Sequence, residues 1–284
     1  MGYLDHIRRC NAHDIGKFRP FLVERRHVGW VRHDVAARLE WFPATFRITA
    51  DAVTLHPRLE ESEQRSEAID AVCEELAAEH GFPKLRGERY GVAPSWGETP
   101  LLTIDRAVVS VFGVRAYGVH VNGYVDTPDG IKLWIGHRAT DKAVAPGKLD
   151  NLVAGSQPFG LSLFENLIKE AAEEADIPRA IAATAHPVGA VCYCLEDEWG
   201  LKPDAMFCYD LEVPDYFTPR NTDGEVTHFA LMDVVDVAKR VRDSDDFKYN
   251  VNLVILDFLV RRGILSPEDD PEYLEIVRGL RQGW

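Results

Sequence analysis

No apolar run in these 284 residues approaches the roughly 20-residue length of a membrane-spanning helix. The opening Met1-Gly2-Tyr3-Leu4-Asp5-His6 lacks the basic and apolar stretches of a signal peptide. Both absences lead to the expectation of a cytoplasmic protein that engages no membrane. Positive charge is in deficit: 32 Lys and Arg face 46 Asp and Glu, a formal charge of −14. Nucleic-acid backbones are bound by clustered cations, so no such partner is expected, and an anionic substrate must be met by cations gathered locally. Cysteine is scarce, five residues, and odd in number, which fits reduced thiols. Cys192 and Cys194 form C-x-C on one face of an expected strand, but no second pair or nearby His completes a zinc set, so packing is their simplest role. Internal repeats and low-complexity segments are also missing.

What is present suffices for two domains, since the length exceeds the usual single-domain range and 46% of the residues are hydrophobic. Residues 1–113 read as a small α+β domain. It has a helix over 3–13, short strands around 21–23, 29–32 and 44–49, and a helix over 62–80 with Ile69, Val72, Cys73 and Leu76 on its apolar stripe. Its histidines, His6, His13, His27 and His33, are scattered, and no catalytic constellation stands out. The domain is expected to cover a site in the second domain, or to join subunits into a homodimer. Residues 114–284 read as α/β. Strands over 117–126 and 132–138 flank the turn Thr127-Pro128-Asp129-Gly130, further strands follow at 189–195, 205–212 and 226–232, and helices close the chain at 234–242 and 250–262. The acidic stretch 266–275 reads as a solvated end to the last helix.

Between Gly155 and Ile177 the segment K-E-A-A-E-E sets Glu170, Glu173 and Glu174 at i, i+3 and i+4. On a helix those offsets put three carboxylates on one face, within reach of one hard cation. Phe164, Leu167, Ile168, Ala171 and Ala175 form the buried stripe, Ser162 and Glu165 make a capping box, and Pro178 is the expected stop. An isolated E-x-x-E-E is more often a solvated acidic face. The lead-in over 154–160, rich in Gly and containing Pro158, shifts the balance, because its amides and the helix N-terminus can face an anion. A cation site beside an anion site suits a diphosphate.

These residues resemble the Nudix box, G-x5-E-x7-R-E-U-x-E-E-x-G-U with U aliphatic. Gly155 matches its first glycine, Lys169-Glu170 its R-E, Glu173-Glu174 its E-E and Ile177 its last aliphatic position. Leu161 departs from its first glutamate, Lys169 from its arginine and Asp176 from its second glycine. The segments 105–113, 116–124, 147–155, 206–214, 223–229 and 247–254 resemble Nudix proteins related to thiamine pyrophosphokinase, and the likeness spans nearly the whole chain. The resemblance implies a Nudix α/β/α sandwich with a mixed sheet, preceded by the small α+β domain. It implies hydrolysis of a small-molecule diphosphate, thiamine diphosphate or its oxidised analogues, to the monophosphate.

Chemistry on a diphosphate requires management of its charge. Mg2+, with Mn2+ as a substitute, would be held by Glu170, Glu173 and Glu174. Lys169 would orient a glutamate by ion pairing, and Gly155 and Ser156 would meet the substrate. The general base would be Glu225, in the segment Asp-Gly-Glu-Val-Thr-His-Phe, or Glu174. Trp134, Tyr193, Phe207 and Trp96 could offer a stacking surface, although strand aromatics are more often core. Two other readings stand beside this one: a non-catalytic Nudix-like ligand sensor, and a hydrolase of a nucleoside diphosphate derivative. The diphosphate isomerases of this fold are disfavoured, since their added cysteine and glutamate motif has no clear counterpart.

Overall fold

The structure, a computed structural model, describes residues 2–78, 81–142 and 144–283. The chain runs α1 (Tyr3–Cys10), β1 (Phe18–Val23), β2 (Arg26–Arg32), α2 (His33–Leu39), β3 (Phe46–Ile48), β4 (Val53–Leu55), α3 (Ser62–Ala78), β5 (Arg89–Val92) and β6 (Leu102–Asp105). It continues through β7 (Tyr117–Thr127), β8 (Gly130–Arg138), β9 (Leu149–Asp150), β10 (Val153–Ser156), α4 (Leu163–Ala175), α5 (Arg179–Ala182) and β11 (His186–Glu196). It ends with β12 (Leu201–Glu212), β13 (Val226–Asp233), α6 (Val234–Asp243), α7 (Val251–Arg261) and α8 (Tyr273–Gly279). The class is α/β with a mixed sheet, as the sequence implies.

The first sheet has the order β2-β1-β4-β3, and β5 and β6 form a separate two-stranded ribbon. Phe21, Phe46 and Phe112 cluster in their core, with Phe46 stacked on Phe112 and the tilted Phe21 ring 5.3 Å from Phe112, centroid to centroid. The stripe expected on α3 is buried, whereas the expected end at His80 lies outside the described residues. At Gly113 the backbone turns through φ +54° against Trp30, where a Cβ would meet the Trp30 carbonyl oxygen at 2.3 Å, so only glycine serves there.

The larger sheet has the order β11-β12-β7-β8-β13, with β10 on β7 and β9 on β8. Strands β7 and β12 run parallel, and the other pairs are antiparallel. Strand β7 divides its pairing: residues 118–121 bond β10, and residues 124–127 bond β8. The sheet opens where it passes from one partner to the other, which places β10 and the following loop under helix α4.

Two expected boundaries change. Helix α1 stops at Cys10 rather than at 13, because Asn11 leaves helical geometry and its side-chain amide donates to the Ile7 carbonyl at 2.9 Å. This helix shares the core of the C-terminal helices, and the Tyr3 hydroxyl donates to the Ala238 carbonyl at 3.1 Å. The acidic stretch 266–275 is not a solvated helix end; it leads into α8, whose Ile276 is fully buried. The helical spacing of Tyr273, Ile276 and Leu280 makes a stripe that the acidic residues mask.

Candidate active site

Helix α4 begins as its capping box requires: the Glu165 amide donates to the Ser162 hydroxyl at 3.2 Å, and the Ser162 amide donates to the Glu165 carboxylate at 2.9 Å. It stops before Pro178. Asp176 takes the left-handed conformation, φ 54° and ψ 32°, and ends the helix itself, while Pro178 precedes α5. Leu167, Ala171 and Ala175 are buried, but Phe164 is 44% exposed with the Arg179 guanidinium 5.7 Å from its ring centre. A buried asparagine joins the stripe: Asn166 donates to the Ser156 carbonyl at 2.8 Å and so ties the helix to β10.

Strand β10 and α4 together fix two of the three glutamates. Gly155 lies against Glu170 so closely that a Cβ would stand 2.3 Å from the Glu170 Cγ. Glu174 Oε2 accepts the Ala154 amide at 2.9 Å. Burial raises the Glu174 carboxyl well above the usual carboxylate range; the Ala154 amide opposes this, and Asp150, Glu170 and Glu225 add to it. Burial also raises Glu170, against the pull of Lys169. Glu173 is exposed at the helix surface. Lys169 Nζ reaches Glu170 at 3.1 Å and Glu173 at 2.8 Å. Burial alone would lower this ammonium, but the two pairs outweigh it and hold it charged.

Among the described residues no three His, Cys, Asp or Glu side chains converge as a metal-holding group, and Lys169 is the cation between two of the glutamates. The donor chemistry nevertheless fits a divalent cation. Glu170, Glu173 and Glu174 supply hard oxygens on one helix face, and the two recessed members are held in mutual repulsion that a cation relieves.

Beside β10 opens a cavity of about 230 Å³ lined by Gly155, Ser156 and Glu225. Arg106, Arg138, Lys202 and Lys248 also line it, so a chain of charge −14 gathers four cations from four distant segments around one space. Each has a carboxylate nearby: Arg106 with Glu88, Arg138 and Lys248 with Asp150, and Lys202 with Asp204. His120 forms part of the wall, its Nδ1 2.9 Å from the Asn151 Oδ1. Burial, then the nearby Lys248, lowers it to about 4, so it is neutral. Glu225 Oε1 lies 3.0 Å from Lys142 Nζ at the cavity rim.

Two expectations need correction. Two amides of the lead-in loop are engaged rather than turned to an anion: the Gln157 amide donates to the Tyr117 carbonyl at 2.9 Å, and the Phe159 amide to the Arg89 carbonyl at 2.8 Å. Side-chain cations line the cavity instead. Trp134 does not line it; strand alternation turns its indole onto the opposite face, among Leu167, Val121 and Phe229. Of the other aromatics, Tyr193 lines the cavity, buried, with its hydroxyl donating to Asp204 at 2.8 Å. Trp96 and Phe207 do meet, with centroids 4.6 Å apart. The cationic lining is what sequence reading missed, because no motif joins Arg106, Arg138, Lys202 and Lys248.

A family model described as a domain of unknown function (DUF4743) matches residues 2–116. The chain is 42% identical to "Nudix hydrolase 24, chloroplastic" of Arabidopsis thaliana, over 99% of this chain and 78% of that protein. It is 40% identical to "Nudix hydrolase 20, chloroplastic" of the same plant, over the same shares. It is also similar to the crystal structure of a MutT protein from Methanosarcina mazei Go1, at 16% identity, a TM-score of 0.40, and coverage of 52% of this chain and 95% of that one. The names of the two plant relatives overturn the cytoplasmic placement expected from the opening residues, since both are chloroplastic.

Proposed function

The chain belongs to the Nudix hydrolases, and on that premise we propose that it cleaves an organic diphosphate to the monophosphate and phosphate at the site between β10, α4 and Glu225. It is an enzyme that hydrolyses diphosphate bonds. The observation that carries the site assignment is the pair of recessed carboxylates, Glu170 and Glu174, seated against Gly155 and Ala154 of β10, two residues that line the cavity with the four cations and Glu225, although the glutamates themselves do not line it.

A divalent cation held by Glu170, Glu173 and Glu174 would supply charge neutralisation to the diphosphate and lower the pKa of water there, a role we assign to Mg2+. The chain's own residues do the rest. Arg106, Arg138, Lys202 and Lys248 hold the phosphates, and Gly155 and Ser156 form the floor. Lys169 keeps Glu170 and Glu173 oriented. Glu225 takes the proton of the attacking water; the new P–O bond forms at the terminal phosphorus, the anhydride bond breaks, and the organic monophosphate leaves. Residues 114–284 form the catalytic part in this reading, and residues 1–113 the accessory part.

For substrate we favour thiamine diphosphate or its oxidised analogues, on the strength of the resemblance to proteins related to thiamine pyrophosphokinase. Phosphate release from thiamine diphosphate, oxothiamine diphosphate and a set of nucleoside diphosphates, each with Mg2+, tests the choice. Faster release from the thiamine compounds is expected; preference for the nucleotides would replace it with the nucleoside diphosphate reading.

A further inference from the structure

The cation-lined cavity does not end at Tyr90 and Tyr117. Both residues also line a second cleft, of about 230 Å³, on the side of the lead-in loop. Its walls differ in chemistry. Trp96, Phe159 and Leu161 line it, and these are three of the large apolar residues that remain exposed, at 49%, 55% and 38%. An exposed apolar group concentrated round one concavity marks a ligand surface more often than chance exposure. Trp96 completes a three-ring cluster with Tyr117 and Phe207, at 4.6 Å from each. It comes from the loop between β5 and β6, whereas Tyr117, Phe207 and Phe159 come from the larger sheet and its lead-in loop.

The loop that carries Trp96 is held in place. Glu98 pairs with Arg26 and accepts the Ser95 hydroxyl, and the Leu101 amide donates to the Val92 carbonyl at 2.8 Å. The Phe159 amide donates to the Arg89 carbonyl at 2.8 Å, so the two halves of the cleft are joined through the backbone. Gln157 lines the same cleft and is 8% exposed; its amide nitrogen donates to the Leu161 carbonyl at 2.7 Å, while its Oε1 has no partner.

We propose that this cleft is the ring subsite of the enzyme: the substrate is a flat heteroaromatic ring joined by a short link to the diphosphate, with the ring against Trp96 and the phosphates among the cations beyond Tyr117. This rests on the diphosphate reading given above and adds to it the role of residues 90–100, which supply one wall of the substrate site. Trp96 is therefore a specificity-determining residue. Stacking on a tryptophan tolerates many rings.

Calorimetric affinities separate the possibilities without relying on turnover. The probes are thiamine diphosphate and adenosine diphosphate, which carry rings, and isopentenyl diphosphate, which has none. The parent should bind the two ring-bearing probes more tightly than the third. Trp96→Ala should weaken both about ten-fold or more and leave isopentenyl diphosphate unchanged, and Trp96→Phe should restore most of the loss. Equal weakening of all three probes, no weakening, or no ring preference in the parent overturns the ring subsite. A parent that shows the ring preference and its loss in Trp96→Ala, yet releases no phosphate, would leave the subsite standing and remove the hydrolytic reading of the site.

Discussion

Glu174 Oε2 accepts the backbone amide of Ala154 at 2.9 Å, so a carboxylate that burial disfavours as an anion is fastened to the strand that floors the cavity. The amide offsets part of the cost of burying the charge, and what is left disfavours the ionised folded state. A carboxyl whose folded pKa is raised costs stability as the pH rises through the ordinary carboxylate range.

Glu174→Gln should therefore stabilise the metal-free protein at pH 8, by about 1 kcal/mol or more, roughly 2–4 °C in Tm for a chain of this size. The glutamine oxygen can still accept from Ala154, so the gain comes from the missing charge. Hydrolysis should fall at least a hundred-fold. Thermal melts with and without Mg2+ check this: the divalent cation should raise Tm in the parent and do so much less in the variant. A variant less stable than the parent at pH 8 would show that the charge is well accommodated.

Gly155→Ala tests the contact that seats Glu170. The new Cβ would stand 2.3 Å from the Glu170 Cγ, which forces the glutamate or the strand to move. Turnover should drop about ten-fold or more, with a smaller effect on Tm than a core truncation would cause. Full activity in this variant would mean that the position of Glu170 is not used.

Little of the cationic lining could have been read from the sequence. The helix, its cap and the face shared by three glutamates are local, set by offsets of three and four residues, and α4 carries them. The cavity depends on long-range closure: Arg106 follows the β5-β6 ribbon, Arg138 ends β8, Lys202 starts β12, and Lys248 precedes α7. No spacing rule joins them. The side of the sheet that Trp134 takes is hidden for a related reason, since a strand aromatic faces either side according to register, and register is fixed only when the sheet assembles.

Glu225→Gln should lower kcat about a hundred-fold or more while KM changes little, because a proton acceptor acts mainly in the transition state. Its neighbours Asp223 and Gly224 set the turn: the Glu225 amide donates to the Asp223 carboxylate at 2.7 Å. Steady-state kinetics decide the matter. A rise in KM at constant kcat would reassign Glu225 to substrate binding through its pair with Lys142.

Stability should also depend on His120. Its folded pKa is lowered from 6.5 to about 4 by burial and by Lys248, so the folded state takes up its proton less readily than the unfolded state. This contribution is complete above about pH 6.5 and is lost as the pH falls toward 4, about 3 kcal/mol in all. Denaturant titrations at pH 7 and pH 4.5 should show a smaller difference for His120→Gln than for the parent. An equal difference would place the acid sensitivity in other groups.

The central claim is that three glutamates on one face of α4 serve a divalent cation in diphosphate hydrolysis. Phosphate release from thiamine diphosphate, measured for the parent and for Glu173→Gln after chelation and after stepwise return of Mg2+, tests it most directly. The parent should be inactive when chelated and recover with Mg2+, while Glu173→Gln, folded to the same extent by its melting curve, should recover little at any Mg2+ concentration. Equal recovery of the two proteins, or undiminished release in the presence of chelator, would contradict it.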